Sequence, residues 1–158
     1  MDLYRIPRRE VEASILLDDG RALDGALFTA ESSIGGGAED VLHLLNGSDV
    51  EFIPLLTGKD SFLLGKSGIV WVQLTGEPAG EIAREAEGGR RVPVRLSLAG
   101  GLNVVGTLMV AMPPERSRIV DYLNAPGRFM PLFNDGSVTL VQRRFIVTVR
   151  SLEGVERD

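Results

Sequence analysis

The chain has no cysteine, a single histidine (His43) and only 6% aromatic residues in 158 positions. Without thiols, a disulfide framework, an iron–sulfur cluster, a zinc finger and a Cys–His nucleophile all lack their parts. No stretch approaches the ~18 consecutive apolar residues of a membrane-spanning helix, and the start, MDLYRIPRRE, places charges where a signal peptide needs an apolar segment. These absences predict a cytoplasmic location, no membrane association and no cofactor. What the chain does have is 44% hydrophobic residues, 25% charged residues, 19 glycines and 8 prolines. That supply of apolar side chains can build a core, and so many turn formers predict short strands rather than a helical bundle.

The sequence overlays itself. A shift of 81 residues superposes Val11 on Val92, Gly20 on Gly101, Gly25 on Gly106 and Leu27 on Leu108. Leu45-Asn46 meets Leu123-Asn124 at a shift of 78. At a shift of 77, Phe52-Ile53-Pro54-Leu55 meets Phe129-Met130-Pro131-Leu132, Leu63 meets Leu140, and Ile69-Val70-Trp71-Val72 meets Ile146-Val147-Thr148-Val149. The thirteen identities fall in one order, several on Gly and Pro, whose backbone roles other residues replace poorly. This is the mark of an internal duplication.

Each copy reads mainly as strands. Val11, Ala13, Ile15 and Leu17 alternate with more polar neighbours, as do Val92, Val94, Leu96 and Leu98, the period of a half-buried strand. Asp19-Gly20 and Gly100-Gly101 supply hairpin turns into second strands at about 21–29 and 102–111. Short helices are expected at 39–46 and 117–124, the latter capped by Ser117. Third strands follow at 52–56 and 129–133, whose Pro54 and Pro131 belong at an edge or bulge. The last two strands of each copy, 61–66 with 69–74 and 138–143 with 145–152, are joined by sharp bends, and Trp71 is expected to cover the first copy. Five short strands can hide their edges by closing. The expected architecture is therefore mainly β: two tandem five-stranded small barrels, each with a short inserted helix. The first spans residues 1–76 and the second 91–158, separated by a Gly/Pro/acidic linker at 77–90 that holds at most a turn or two of helix.

The segment Leu17-Asp18-Asp19-Gly20-Arg21-Ala22-Leu23-Asp24-Gly25-Ala26-Leu27 and its copy Leu98 to Leu108 share the form L-x-x-G-x-x-x-x-G-x-L. This pattern, followed by a late strand, a tight turn and I-x-x-V, resembles the Sm-like (SH3-like small barrel) fold. Leu140 to Val149 is similar to the last two strands of the bacterial Sm-like RNA chaperones, with the basic pair Arg143-Arg144 in the sharp turn. The inserted helices depart from the usual Sm pattern. The L-x-G-x-L, D-Y-L-N and F-x-P-L elements are also similar to those of a group of bacterial proteins, a likeness that implies no function. Arg5-Ile6-Pro7-Arg8-Arg9 and Glu31-Ser32-Ser33-Ile34-Gly35-Gly36 more weakly resemble the motifs of PilZ domains, which would imply cyclic di-GMP held by Arg5, Arg9, Ser33 and Gly36. Here Glu31 stands where those domains carry Asp or Asn.

The net charge of −5 conceals two opposite halves. Residues 11–76 carry three Lys or Arg against ten Asp or Glu, a balance of −7, and residues 91–152 carry eight Arg against three acids, a balance of +5. Arginine offers paired donors to phosphate or carboxylate, so Arg95, Arg116, Arg118, Arg128, Arg143 and Arg144 are candidates for binding an anion or a partner. Opposite charge on the two copies equally suits head-to-tail assembly.

Catalysis has little to work with. His43 has no evident Ser or Cys partner and reads as a helix-surface residue. Asp18-Asp19 is a turn pair, and Gly35-Gly36-Gly37 lacks the Lys-Ser/Thr of a phosphate loop. Tyr122 and Phe145 read as core rather than as stacking platforms for bases. The expectation is a non-enzymatic assembly or adaptor module that self-associates or binds a protein partner, for instance a trimer forming a six-barrel ring. RNA binding through the basic second copy is the alternative, and cyclic di-GMP binding a further one.

Overall fold

The computed structural model describes residues 8–30, 40–111 and 118–153. The first strand, β1 (Arg8–Leu17), buries Val11, Ala13, Ile15 and Leu17, the apolar members of the alternating pattern. Gly20, at φ 93°, turns the chain into β2 (Ala22–Ala30). The inserted helix α1 (Val41–Asn46) starts at the first residue of its apolar pattern rather than at residue 39, because Asp40 serves as its N-cap, its carboxylate accepting from the backbone N–H of His43 at 2.8 Å. Then come β3 (Phe52–Thr57), β4 (Asp60–Gly65), a 3₁₀ turn over Lys66–Gly68 and β5 (Ile69–Thr75). Beyond α2 (Gly76–Glu85) the plan repeats as β6 (Arg90–Leu98), β7 (Leu102–Val110), α3 (Ile119–Leu123), β8 (Phe129–Asn134), β9 (Ser137–Gln142), a 3₁₀ turn over Arg143–Phe145 and β10 (Ile146–Ser151). Arg118 occupies the N-cap of α3 without a side-chain capping bond; Ser117 lies outside the described residues.

The two halves share their pairing registers as well as their element order. Val11 faces Leu27 as Val92 faces Leu108, and Phe52 faces Gly65 as Phe129 faces Gln142. Each first strand pairs with its own last strand through the same irregularity: Leu16↔Trp71 and Leu17↔Ile69 correspond to Ser97↔Thr148 and Leu98↔Ile146. Pro54 and Pro131 pair only with β4 and β9, since β2–β3 and β7–β8 meet at the single positions Ala26↔Leu56 and Thr107↔Phe133. The missing proline N–H thus falls where the ladder is already open.

The ten strands of the described residues form one unclosed antiparallel sheet in the order β10-β6-β7-β8-β9-β5-β1-β2-β3-β4. Two tandem barrels separated by a linker are expected from the sequence, with their mutual packing left open; the halves are joined directly by β5 pairing with β9 through Trp71↔Val141, Val72↔Leu140, Gln73↔Thr139, Leu74↔Val138 and Thr75↔Ser137. The segment expected as a linker is mostly the ten-residue helix α2, longer than a turn or two. It forms because Ala79 and Ile82 recur at helical spacing and bury themselves in the first core. α2 lies against both β5 and β9, strapping the seam.

Two hydrophobic cores result, and each borrows from the other half. The first contains Phe129, Val138 and Leu140 from the second repeat; the second contains Val70, with Leu16 and Trp71 packed against it. Trp71 therefore covers the second core, contrary to expectation, because β5 is sandwiched in the seam and its outward face meets the other half.

Gly25 and Gly106 occupy equivalent positions where the third strand of each half crosses closely. A Cβ at Gly25 would stand 2.6 Å from the Leu56 carbonyl oxygen, and one at Gly106 would stand 2.6 Å from the Leu132 side chain. Backbone cannot yield as a side-chain tip can, so Gly25→Ala is expected to destabilise the fold by about 1–3 kcal/mol, read as a lowered denaturation midpoint.

Candidate assembly interface

The seam between the halves is polar as well as apolar. Glu51, just ahead of β3, receives the Arg128 guanidinium at 2.9 and 3.3 Å and the backbone N–H of Ser67 at 3.0 Å. The Arg128 guanidinium, which bonds it first, and the Ser67 N–H lower the Glu51 carboxyl from its ordinary 4.5 to about 2. Arg128 also donates through Nε to Gln142 Oε1 at 3.0 Å, and buried Gln142 donates through Nε2 to the carbonyls of Lys66 at 3.0 Å and Ile69 at 2.7 Å. From the other side, the Asn46 side chain accepts from Phe129 N–H at 2.7 Å and donates to Phe129 C=O at 3.2 Å. Both backbone groups of the first residue of β8 are thereby held by the end of α1.

The candidate arginines are divided among different tasks. Arg128 and Arg144 lie at the seam: Arg144 donates to the Ser67 carbonyl, stands 4.0 Å from Asp18 and lies over the Phe145 ring at 4.1 Å. Arg143 is turned inward, donating to the carbonyls of Leu123 at 3.0 Å and Ala125 at 2.5 Å at the end of α3, with Tyr122 5.7 Å away. Burial lowers its pKa, only partly countered by Tyr122. Its counterpart is Lys66, buried and donating to Gly47 O at 3.1 Å beyond α1. In both halves the cation of the 3₁₀ turn therefore sits at the negative end of the inserted helix. Arg118 pairs with Asp121 on its own helix at 3.2 Å. Arg95 stands exposed on β6, directly opposite exposed Arg150 on β10, with exposed Arg91 two periods of the strand alternation away on the same face. Arg116 lies outside the described residues.

Arg9 grips Glu81 of α2 with two bonds of 2.6 Å and the Thr29 hydroxyl with a third of 3.0 Å. The Arg9 bonds hold the Glu81 carboxyl below its ordinary range. Arg9 thus serves to anchor α2; Arg5, Ser33 and Gly36, the other residues of the cyclic di-GMP motif, lie outside the described residues. His43 is exposed between Asp40, 3.4 Å from Nδ1, and Glu85, 3.5 Å from Nε2. The three groups form a cluster with ligand atoms within 4.8 Å of one another, and a protonated imidazole there would bridge α1 to α2. Asp18 and Asp19 part company: Asp19 binds the N–H of Arg21 at 3.0 Å and its Nε at 2.8 Å, while Asp18 faces Arg144.

Sequence reasoning missed Glu51, Asn46 and Gln142. A signal for Gln142 was present, since it replaces Gly65 of the first copy at a position otherwise matched in register. No described helix is long and apolar enough to cross a membrane. No protein-family model, curated protein or solved structure matches the chain.

Two outcomes follow from the seam. Gln142→Ala leaves the carbonyls of Lys66 and Ile69 without their side-chain donor and is expected to cost about 1–3 kcal/mol in denaturant unfolding. The depressed Glu51 carboxyl contributes stability that is fully present above the unfolded value near 4.5 and is lost as pH falls toward about 2. Arg128→Gln should flatten this part of the profile of unfolding midpoint against pH; an unaltered slope would remove Glu51–Arg128 as its source.

Proposed function

We propose that the chain is a non-enzymatic assembly module, with each half an Sm-like small-barrel unit and successive copies joining head to tail through the ends of the sheet. One observation carries this reading. Among the described residues the sheet ends in β4 on one side and β10 on the other, and these are the repeat counterparts of β9 and β5, the two strands that join the halves within the chain. A free edge of each kind is a template for pairing with another strand. Because the two edges are different and complementary, each copy can accept one neighbour and offer itself to another, which yields a closed ring or a filament. Three chains would make a ring of six units. Light scattering over a wide concentration range tests this: a discrete mass of several chains supports a ring, a concentration-dependent ladder supports a filament, and a single-chain mass throughout sinks the reading.

A second reading, RNA binding, draws support from Arg95 facing Arg150 across β6 and β10, with Arg91 four residues along the same face of β6. Like charges set directly opposite on a sheet are unfavourable, which an anionic ligand would relieve. If three arginines meet phosphates, the logarithm of affinity for single-stranded RNA should fall with the logarithm of salt concentration at a slope of about −2. Arg95→Glu with Arg150→Glu should abolish binding. Absence of binding by the unaltered chain at low salt would dispose of this alternative.

A further inference from the structure

Three pairs of identical residues, matched by the duplication, have opposite exposures. Phe129 is 1% exposed and its counterpart Phe52 61%; Leu140 is 0% exposed and Leu63 73%; Val70 is 4% exposed and Val147 66%. In each pair the buried member is covered by the other half of the chain. Phe129 and Leu140, from the second repeat, enter the core of the first, and Val70, from the first, enters the core of the second. The exposed members are the same side chains with no other half to enter. Phe52 and Leu63 lie at the β4 end of the sheet and Val147 at the β10 end. Beside the latter runs a groove of about 240 Å³ lined by Leu123, Arg143, Ile146, Val147, Thr148 and Val149. Its Ile146 and Val149 correspond to Ile69 and Val72, which pack in the first core with Phe129.

We propose that the occupant of this groove is a second copy of the same chain, seated in the register that joins the two halves internally. This rests on the assembly reading above and specifies its contact. Transferring the seam residue by residue sets Thr148 opposite Leu64, Val149 opposite Leu63, Arg150 opposite Phe62 and Ser151 opposite Ser61. Phe52 of the incoming copy takes the place that Phe129 has in the seam, and Asn124, the counterpart of Asn46, meets the backbone N–H and C=O of Phe52. The charges agree with this arrangement. Glu51 and Arg128 are counterparts of each other, so exchanging their roles between copies again sets an acid against an arginine, where a duplicated unit with like residues would set two equal charges together. Growth by this contact therefore places each Glu51 between two arginines and each Arg128 between two carboxylates.

The absence of native cysteine makes crosslinking a direct test. In the full chain, Leu63→Cys with Val149→Cys puts two thiols at directly opposed antiparallel positions, about 4.5–5.5 Å apart between Cα atoms, a separation that a disulfide spans. The two residues lie on strands at opposite ends of one sheet, so the bond can form only between copies. Mild oxidation should give crosslinked multimers on a non-reducing gel, and Leu63→Cys with Ser151→Cys, displaced by two residues, should give at least tenfold fewer. Separately, Phe52→Asp should weaken association at least tenfold without shifting the unfolding midpoint of the dissociated chain, because Phe52 is exposed within one copy. Multimers by light scattering that crosslink only in the displaced variant, or that persist unchanged in Phe52→Asp, overturn this register while leaving self-association intact. A single-chain mass for the unaltered protein at every concentration overturns both.

Discussion

The pairing of β5 with β9 is the contact on which the rest of the molecule depends. It turns two five-stranded halves into one sheet, and it makes each core depend on side chains from the other half. Phe129, Val138 and Leu140 are buried only because that seam brings them over the first repeat, and Val70 is buried only because the seam brings the second repeat over it. α2 follows from the same contact. A polar segment with one apolar stripe becomes an ordered helix where a surface awaits that stripe, and the joined strands β5 and β9 provide it.

Around the apolar seam, polar groups specify alignment. Asn46 occupies both the N–H and the C=O of Phe129, and Gln142 uses its amide nitrogen on two carbonyls and its oxygen on Arg128. A slip of one residue along β9 would break these bonds and invert the side chains of the seam relative to both cores. The opposite charges of the two repeats find part of their purpose here, with Arg128 on Glu51 and Arg144 beside Asp18. Other basic residues have local partners, as Arg118 does in Asp121, or turn inward, as Arg143 does. Among the described residues, the arginines of the second repeat thus form no single basic face: Arg118 and Arg144 are exposed but stand beside acids, while Arg91, Arg95 and Arg150 are exposed on β6 and β10, and of these three only Arg95 is a binding candidate from the sequence.

Much of the strand plan was legible because the duplication doubled every signal. Gly20 and Gly101 marked hairpins, and the alternations through Ile15 and Leu96 marked the buried faces. The seam was illegible for a related reason. Phe52 and Phe129, or Leu63 and Leu140, are identical residues in identical local patterns, so nothing nearby in the chain distinguishes the copy that finds a cover from the copy that does not. Trp71 was assigned to the wrong core because a strand in the seam has two buried faces, and period-two reasoning assigns it one. The ten-residue α2 was read as a linker because its short apolar stripe gains weight only against the seam.

By itself, then, the sequence determined the repeated unit: its strands, its turns, its inserted helix and the opposite charges of the two copies, all properties of residues within a few positions of one another or matched at a constant shift. Only the tertiary structure decided that the units share one sheet, which core each border side chain enters, and which members of matched pairs remain exposed. Those outcomes depend on strand edges meeting across more than sixty residues of chain, as Trp71 meets Val141. Backbone hydrogen bonding is common to every strand edge and leaves no mark in the residue pattern of either one.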